Sequence, residues 1–391
     1  MHFTENHLIY LTFRILLTLV AIFNAIHISQ SKKPVTLKSF IPIIVAYTLY
    51  AGLRWGRGVD YNLYYWAYKE YSNGTPKDDF EPLFALPIKI FVLLGLEWKH
   101  LVFAMSFLLA VAGGIFLKQF RKRLVFILPF FFLQLDDAEN LQRWYMAFSF
   151  VLMGCPCLLK KHIDARRFVV FALLGFLVHY GIVLVIIPMV AICYFSRQGV
   201  LYPWISAILY FFGLFFFSPD MMGIFTDFVS NINIGARFAG YQADAEGWLT
   251  GSNKDYLFRT ASFLNIIPSM FLIFVGYSYT RQHKEDSQIV TLYHWTLFSV
   301  VFLPMAIQIE LLSRILSPFT IIQYVFMAIM AYDILISKIK VKTMVYYICL
   351  CVFVYYAIKL VVVYPLSVDK KLTYYIWDSE GRNTQYITND K

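Results

Sequence analysis

Apolar runs separated by short polar breaks cover most of the chain, and their lengths set the first expectations. Runs at 8–28, 36–53, 99–117, 143–159, 201–217, 259–279, 291–309, 318–336 and 344–362 each come near the roughly 20 apolar residues that a membrane-crossing helix needs. A shorter run fills 124–135, and 168–195 is apolar throughout. Backbone groups in lipid must be bonded within the spanning structure, and the ten-residue alternation of a membrane barrel is not seen. The pattern therefore predicts an all-α polytopic membrane protein.

Two segments need separate treatment. Segment 82–96 is opened by Pro82 and broken by Gly95, and reads as a re-entrant half helix. If it crossed, the basic loop "KQFRKR" (118–123) would fall outside. Segment 168–195 reads as two short helices meeting at "VHYG" (178–181). The loops "SKKPVTLK" (31–38), "KQFRKR", "KKHIDARR" (160–167) and "SKIKVK" (337–342) are basic and belong in the cytoplasm by the positive-inside rule. The neutral or acidic stretches 54–81, 136–142 and 218–258 belong outside. Twelve crossings then satisfy every loop, with both termini outside. The chain reads as one transmembrane domain, 1–391, carrying an external loop with the half helix (54–98) and a large external, periplasmic loop (218–258). Short and broken helices imply a protein-lined, partly wet cavity on the outer side.

Composition agrees with this reading. The chain is 59% hydrophobic, 19% aromatic and 15% charged, which excludes an ordinary soluble domain. The net charge of +10 is a matter of membrane sidedness rather than of nucleic acid. The run 8–28 lacks a basic lead-in and a small-residue cleavage site, so it is expected to stay as a first helix. Cys155, Cys157, Cys193, Cys349 and Cys351 lie in apolar runs and read as small buried residues. No Gly-rich phosphate loop, H-E-x-x-H, Cys₂His₂ or Asp-x-Asp pattern occurs, and no internal repeat is seen.

Against that background, arginines on the outer side stand out. Arg54, Arg57, Arg143, Arg237 and Arg314 all fall at or near that face, from different parts of the chain. Any one alone is equally well explained by snorkelling or local pairing. Their convergence points to an anionic guest such as a diphosphate, because guanidinium forks match phosphate oxygens and stay charged. Asp60, Glu81 and His179 are the candidate bases for activating a hydroxyl, with Asp136, Asp137, Glu139 and Glu310 behind them. Tyr61, Tyr64 and Tyr241 could stack against sugars, although an interfacial aromatic belt explains most such rings. With guanidinium groups supplying positive charge, neither a metal nor a cofactor is expected.

The ordered series "GLRWGRGVDYNLYYWAY", "FEPLF", "QRWYMAFSF", "VHYG", "ARFAGY" and "SRILSPF" resembles the EpsG family, which belongs with the Wzy-type O-antigen and exopolysaccharide polymerases. Val59 stands where family members more often carry threonine or another small residue. The resemblance implies a multi-spanning inner-membrane glycosyltransferase using no nucleotide sugar. Such an enzyme joins repeat units carried on undecaprenyl diphosphate at the outer face. It implies partners as well: undecaprenyl-diphosphate-linked glycans, membrane lipids and a chain-length regulator protein. Arg54, Arg57, Arg143, Arg237 and Arg314 would hold the diphosphate, and Asp60, Glu81 or His179 would take the acceptor proton. A flippase for lipid-linked oligosaccharide would share the anion site, but calls for pathway charges on both sides. A glycan ligase would share the donor chemistry.

Overall fold

The computed structural model describes residues 5–55, 59–76, 80–215, 263–306, 310–337 and 342–367. Among them every regular element is helical. Six helices are long and apolar enough to cross a membrane: Leu8–Gln30, Trp98–Leu133, Tyr180–Gln198, Ser287–Ala306, Leu311–Leu335 and Thr343–Val363. That is fewer than the twelve crossings expected. Of the runs expected to cross, Leu37–Gly52 and Pro203–Phe215 are apolar but shorter, and Pro82–Leu93, expected as a half helix, is short as well. The runs 99–117 and 124–135 are joined through a 3₁₀ stretch, Lys118–Arg123, kinked at Phe120.

The chain folds as two compact units. The first holds Met1–Ile186, Ala331–Val341 and Leu350–Lys391, and the second holds Ile187–Met330 and Lys342–Cys349.

In the first unit, α1 (Glu5–Gln30) packs on α2 (Ile41–Gly52) and on α6 (Leu124–Leu133). The short α3 (Val59–Ser72) and α4 (Pro82–Leu93) lie against each other, and α4 also touches α5 (Trp98–Leu117). Pro82 sits in the first turn of α4, where its missing N–H costs nothing. The helix ends in a Schellman turn: Leu96 N–H donates to Phe91 O at 2.9 Å and Gly95 N–H to Val92 O at 3.0 Å. Gly95 takes φ +67° there, a conformation that favours glycine. Tyr68 Oη donates to Leu96 O at 2.8 Å and pins α3 to that turn.

α7 (Gln142–Leu159) and α8 (Ala165–Val178) pack closely, because a Cβ on Gly175 would lie 2.8 Å from Ala147 O. The break expected at 178–181 is present. α8 stops at Val178, His179 is extended at φ −155° and ψ 113°, and α9 (Val183–Phe195) follows a short 3₁₀ turn. At the other end of the polar spectrum, Arg14 of α1 is fully buried in an ion pair with Asp136. Arg123 makes a two-point pair with Asp333, at 3.1 and 2.7 Å.

The second unit contains α10 (Pro203–Phe215), α11 (Phe263–Gln282), α12 (Ser287–Ala306) and most of α13 (Glu310–Leu335). Two of its buried polar groups bond to neighbouring helices: Trp295 Nε1–H donates to Met189 O at 3.0 Å, and Tyr293 Oη to Ile273 O at 2.9 Å. Satisfying such groups is obligatory where no water can reach them. Helix α14 (Thr343–Ile358) runs into a π turn at Lys359–Val363, followed by a short helix, Tyr364–Ser367.

Candidate functional site

Glu81 is the N-cap of α4, and its backbone carbonyl accepts from Phe84 and Ala85, both at 2.9 Å. Its side chain makes no bond to its own helix and points to two other elements instead. Oε1 lies 3.0 Å from His179 Nδ1, at the break between α8 and α9, and 3.4 Å from the Tyr180 N–H. Oε2 accepts from Arg143 Nη1 at 3.0 Å. One carboxylate therefore gathers a histidine and an arginine that stand 98 and 62 residues away along the chain.

Burial by itself would raise the Glu81 pKa, but the bond from His179 and the charge of Arg143 outweigh it and lower it from 4.5 to about 2. Glu81 is thus ionised and can only accept hydrogen bonds, so His179 Nδ1 carries the proton that it shares with Glu81. In the neutral imidazole this leaves Nε2 as the acceptor. Trp144 meets the His179 ring edge-on at 5.5 Å and limits its rotation. A Cβ on Gly181 would lie 3.0 Å from His179 Nε2 and 3.3 Å from Trp144, so glycine keeps that edge clear.

Arg143 is the second residue of α7, an unfavourable place for a cation beside the positive end of the helix dipole. Its guanidinium stacks over Phe80 at 5.4 Å and Phe84 at 6.0 Å, the rings flanking Glu81 in "FEPLF". Gln142, the preceding residue, faces a different feature. It lines a small cavity together with Arg54, Tyr47, Ser106 and Tyr145. Arg54 is only 3% exposed. Its Nη1 donates to Ala51 O and, at 3.5 Å, to Ser106 Oγ. It has no carboxylate partner among the described residues, and its Nε has no hydrogen bond there. Within that set Arg143 is neutralised by a carboxylate and Arg54 is not, so the two arginines differ in what they can offer an anion.

The remaining expected residues fall in several places. Asp60 opens α3 half-buried, its backbone N–H donating to Asn140 Oδ1 at 3.0 Å. Asn140 lies in the loop just ahead of Arg143. Tyr61 and Tyr64 are 1% and 7% exposed and pack against Trp98 at 6.1 and 6.2 Å. Their rings belong to the packing of α3 on α5. Arg314 lies near the start of α13, in the second unit. Arg57, Arg237 and Tyr241 lie outside the described residues. Sequence reasoning overlooked Trp144, Gly181 and Phe80 around the Glu81 centre, and Gln142 and Tyr145 around Arg54. The neighbours of Glu81 in "FEPLF" and of Arg143 in "QRW" carried that signal.

Among the described residues no group of three or more His, Cys, Asp or Glu side chains is placed to hold a metal ion. No curated protein and no solved structure matches the chain. The model of the EpsG family, a Wzy-like polymerase family, matches residues 37–376, most of the sequence, and the chain belongs to that family.

Proposed function

We propose that the protein elongates polysaccharide at the outer face of the bacterial inner membrane, using repeat units carried on undecaprenyl diphosphate as donor and acceptor. Membership of a polymerase-like family supports the general class, a membrane glycosyltransferase. The observation that carries the mechanism is the Glu81 carboxylate shared between His179 Nδ1 and Arg143 Nη1.

In this reading His179 is the base. Its Nε2 takes the proton from the acceptor sugar hydroxyl as that oxygen attacks the anomeric carbon of the growing chain. The bond from that carbon to the phosphate oxygen breaks, and polyprenyl diphosphate leaves with its electron pair. Glu81 holds the imidazole in the tautomer with Nε2 free and stabilises the imidazolium that forms, the part a buried carboxylate plays beside a catalytic histidine. Asp60 is left as the second carboxylate of the outer face. Arg54, whose charge no described carboxylate cancels, receives the diphosphate, joined by Arg143 and Arg57 as charge develops on the leaving group. Positive charge in a water-poor site acts most strongly at that moment. The sugars meet aromatic side chains, with Tyr241 as the first to vary.

The test is elongation by purified protein of a defined lipid-diphosphate-linked repeat unit. Polymer ladders with release of polyprenyl diphosphate support the reading. Transfer only to a foreign acceptor points to a ligase. Translocation of the lipid-linked unit without bond formation points to a flippase.

A further inference from the structure

Arg14 is a fully bonded buried charge, and nothing in the reaction just described uses it. It is 0% exposed and lies inside α1, where a charge is costly unless every donor finds a partner. Each donor does. Nε donates to Leu360 O at 3.0 Å and Nη2 to the same oxygen at 2.6 Å. Nη2 also donates to Leu133 O at 3.1 Å, and Nη1 to Asp136 Oδ2. The Tyr10 and Tyr50 hydroxyls both donate to Asp136 Oδ1, at 3.4 and 3.2 Å. The Tyr364 ring lies 5.2 Å from the guanidinium carbon. One fork thus joins α1, α2, the end of α6, the 3₁₀ turn Leu135–Glu139 and the π turn after α14.

The turn held by Asp136 leads directly into the site. Ala138 lines the Arg54 cavity, Asn140 Oδ1 takes the Asp60 N–H, Gln142 lines the same cavity, and Arg143 reaches Glu81. Arg143 follows Asp136 by seven positions. A buried ion pair is a poor stabiliser in net terms, because desolvation offsets much of its attraction. What this pair supplies is direction, since a five-donor fork and a doubly held carboxylate permit one placement of the turn.

We infer that the Arg14–Asp136 pair is a positioning element for the reaction centre, fixing the 135–143 segment so that Arg143 meets Glu81 and Gln142 lines the Arg54 cavity. The inference rests on the polymerase reading, and wild-type protein in the elongation assay keeps the two apart. Wild type without elongation removes that reading, whereas the variants decide the role of the pair.

The decisive variant is Arg14→Met/Asp136→Leu, which removes both charges and leaves apolar side chains of similar size. Turnover is measured per monodisperse, folded molecule, together with its pH profile. The charged groups at the centre are Glu81, Arg143 and His179. When Arg143 withdraws from Glu81, the carboxylate bears more uncancelled charge, His179 holds its proton more tightly, and the acid limb moves to higher pH. The expected result is a lowered melting temperature, because the Tyr10 and Tyr50 hydroxyls and the Leu133 and Leu360 carbonyls lose buried partners, together with a turnover loss per folded molecule on the order of 10- to 100-fold from displaced groups and that upward move of the acid limb. Loss of folded protein alone does not move a pH profile. Arg14→Lys, which keeps charge but not the fork, does not restore turnover. Tyr10→Phe/Tyr50→Phe frees Asp136 Oδ1 without touching a charge, and gives the same direction of change if the paired variant does not fold. A wild-type pH profile and turnover in either folded double variant overturns the inference.

Discussion

Glu81 Oε1 stands 3.0 Å from His179 Nδ1, and the other oxygen of the same carboxylate stands 3.0 Å from Arg143 Nη1. The arrangement makes one unit of three residues from three parts of the chain. Glu81→Gln breaks it, because an amide offers one acceptor oxygen where two are used. We expect elongation to fall on the order of 100- to 10,000-fold, the usual weight of a positioned base. His179→Ala should fall as far, and the double variant no further, since groups acting together are not additive. Purified protein with a lipid-linked repeat unit measures this. Losses that multiply in the double variant would show that the two side chains act separately.

The same carboxylate makes stability depend on pH. Its pKa falls from 4.5 to about 2 in the folded protein, so folding is favoured by its ionised form. With the folded value below the unfolded one, this contribution is complete above about pH 4.5 and disappears as the pH falls towards 2. Melting temperatures of wild type and Glu81→Gln, followed from pH 7 to pH 3, should therefore draw together below pH 4.5. A gap that stays constant through that range would mean that Glu81 is not held by its partners.

Much of this centre is legible in the order of residues alone. Pro82 and Gly95 bound a short helix, and the apolar stretch 168–195 is read as two helices meeting at 178–181 because a single crossing would put the acidic stretch 218–258 on the side of the basic loops. The positive-inside rule applied to the loops reads Glu81, Arg143 and His179 as sharing one side. What is not legible is pairing. Nothing in spacing distinguishes Arg14, cancelled by Asp136, from Arg54, which no described carboxylate cancels. Tyr61 and Tyr64 look like sugar-facing rings in a polar stretch, yet helical geometry turns both towards Trp98. The twelve-crossing count assumes that each apolar run crosses alone. The short runs at 41–52 and 203–215 are observed as helices of 12 and 13 residues, and length by itself does not make them crossings.

The two arginines of the site should respond differently to lysine. Arg54→Lys keeps a buried charge but loses the fork that meets phosphate oxygens, so the donor binds more weakly and KM rises. Arg143→Lys disturbs the Glu81 unit, so kcat falls, on the order of 100-fold for loss of one placed donor. Steady-state elongation over a range of donor concentration separates the two. Identical effects from both would remove the distinction between a neutralised and an uncancelled guanidinium.

Chelation gives a quick check on the source of positive charge. If arginines stabilise the leaving diphosphate, EDTA leaves elongation unchanged and added magnesium does not raise it. A loss reversed by one particular divalent ion would transfer that role from Arg54 and Arg143 to metal chemistry.

Two glycines near His179 provide a contrast between packing and chemistry. Gly175 lies where α8 crosses α7, and a Cβ there would stand 2.8 Å from Ala147 O, a backbone atom that cannot move aside cheaply. Its own carbonyl accepts the His179 N–H at 3.0 Å, so displacing α8 moves the histidine as well. Gly175→Ala should therefore cost about 1–3 kcal/mol of stability, as overpacking does, and lower elongation with it. At Gly181 the new methyl would instead meet the His179 ring, 3.0 Å from Nε2, and Trp144 at 3.3 Å. Gly181→Ala should leave the melting temperature near wild type while reducing elongation sharply, because it covers the nitrogen that takes the proton. The pair is read by melting and turnover of the same two preparations. If Gly181→Ala turns over normally, His179 Nε2 is not where the acceptor hydroxyl is activated, and Glu81 with Arg143 must be reconsidered without it.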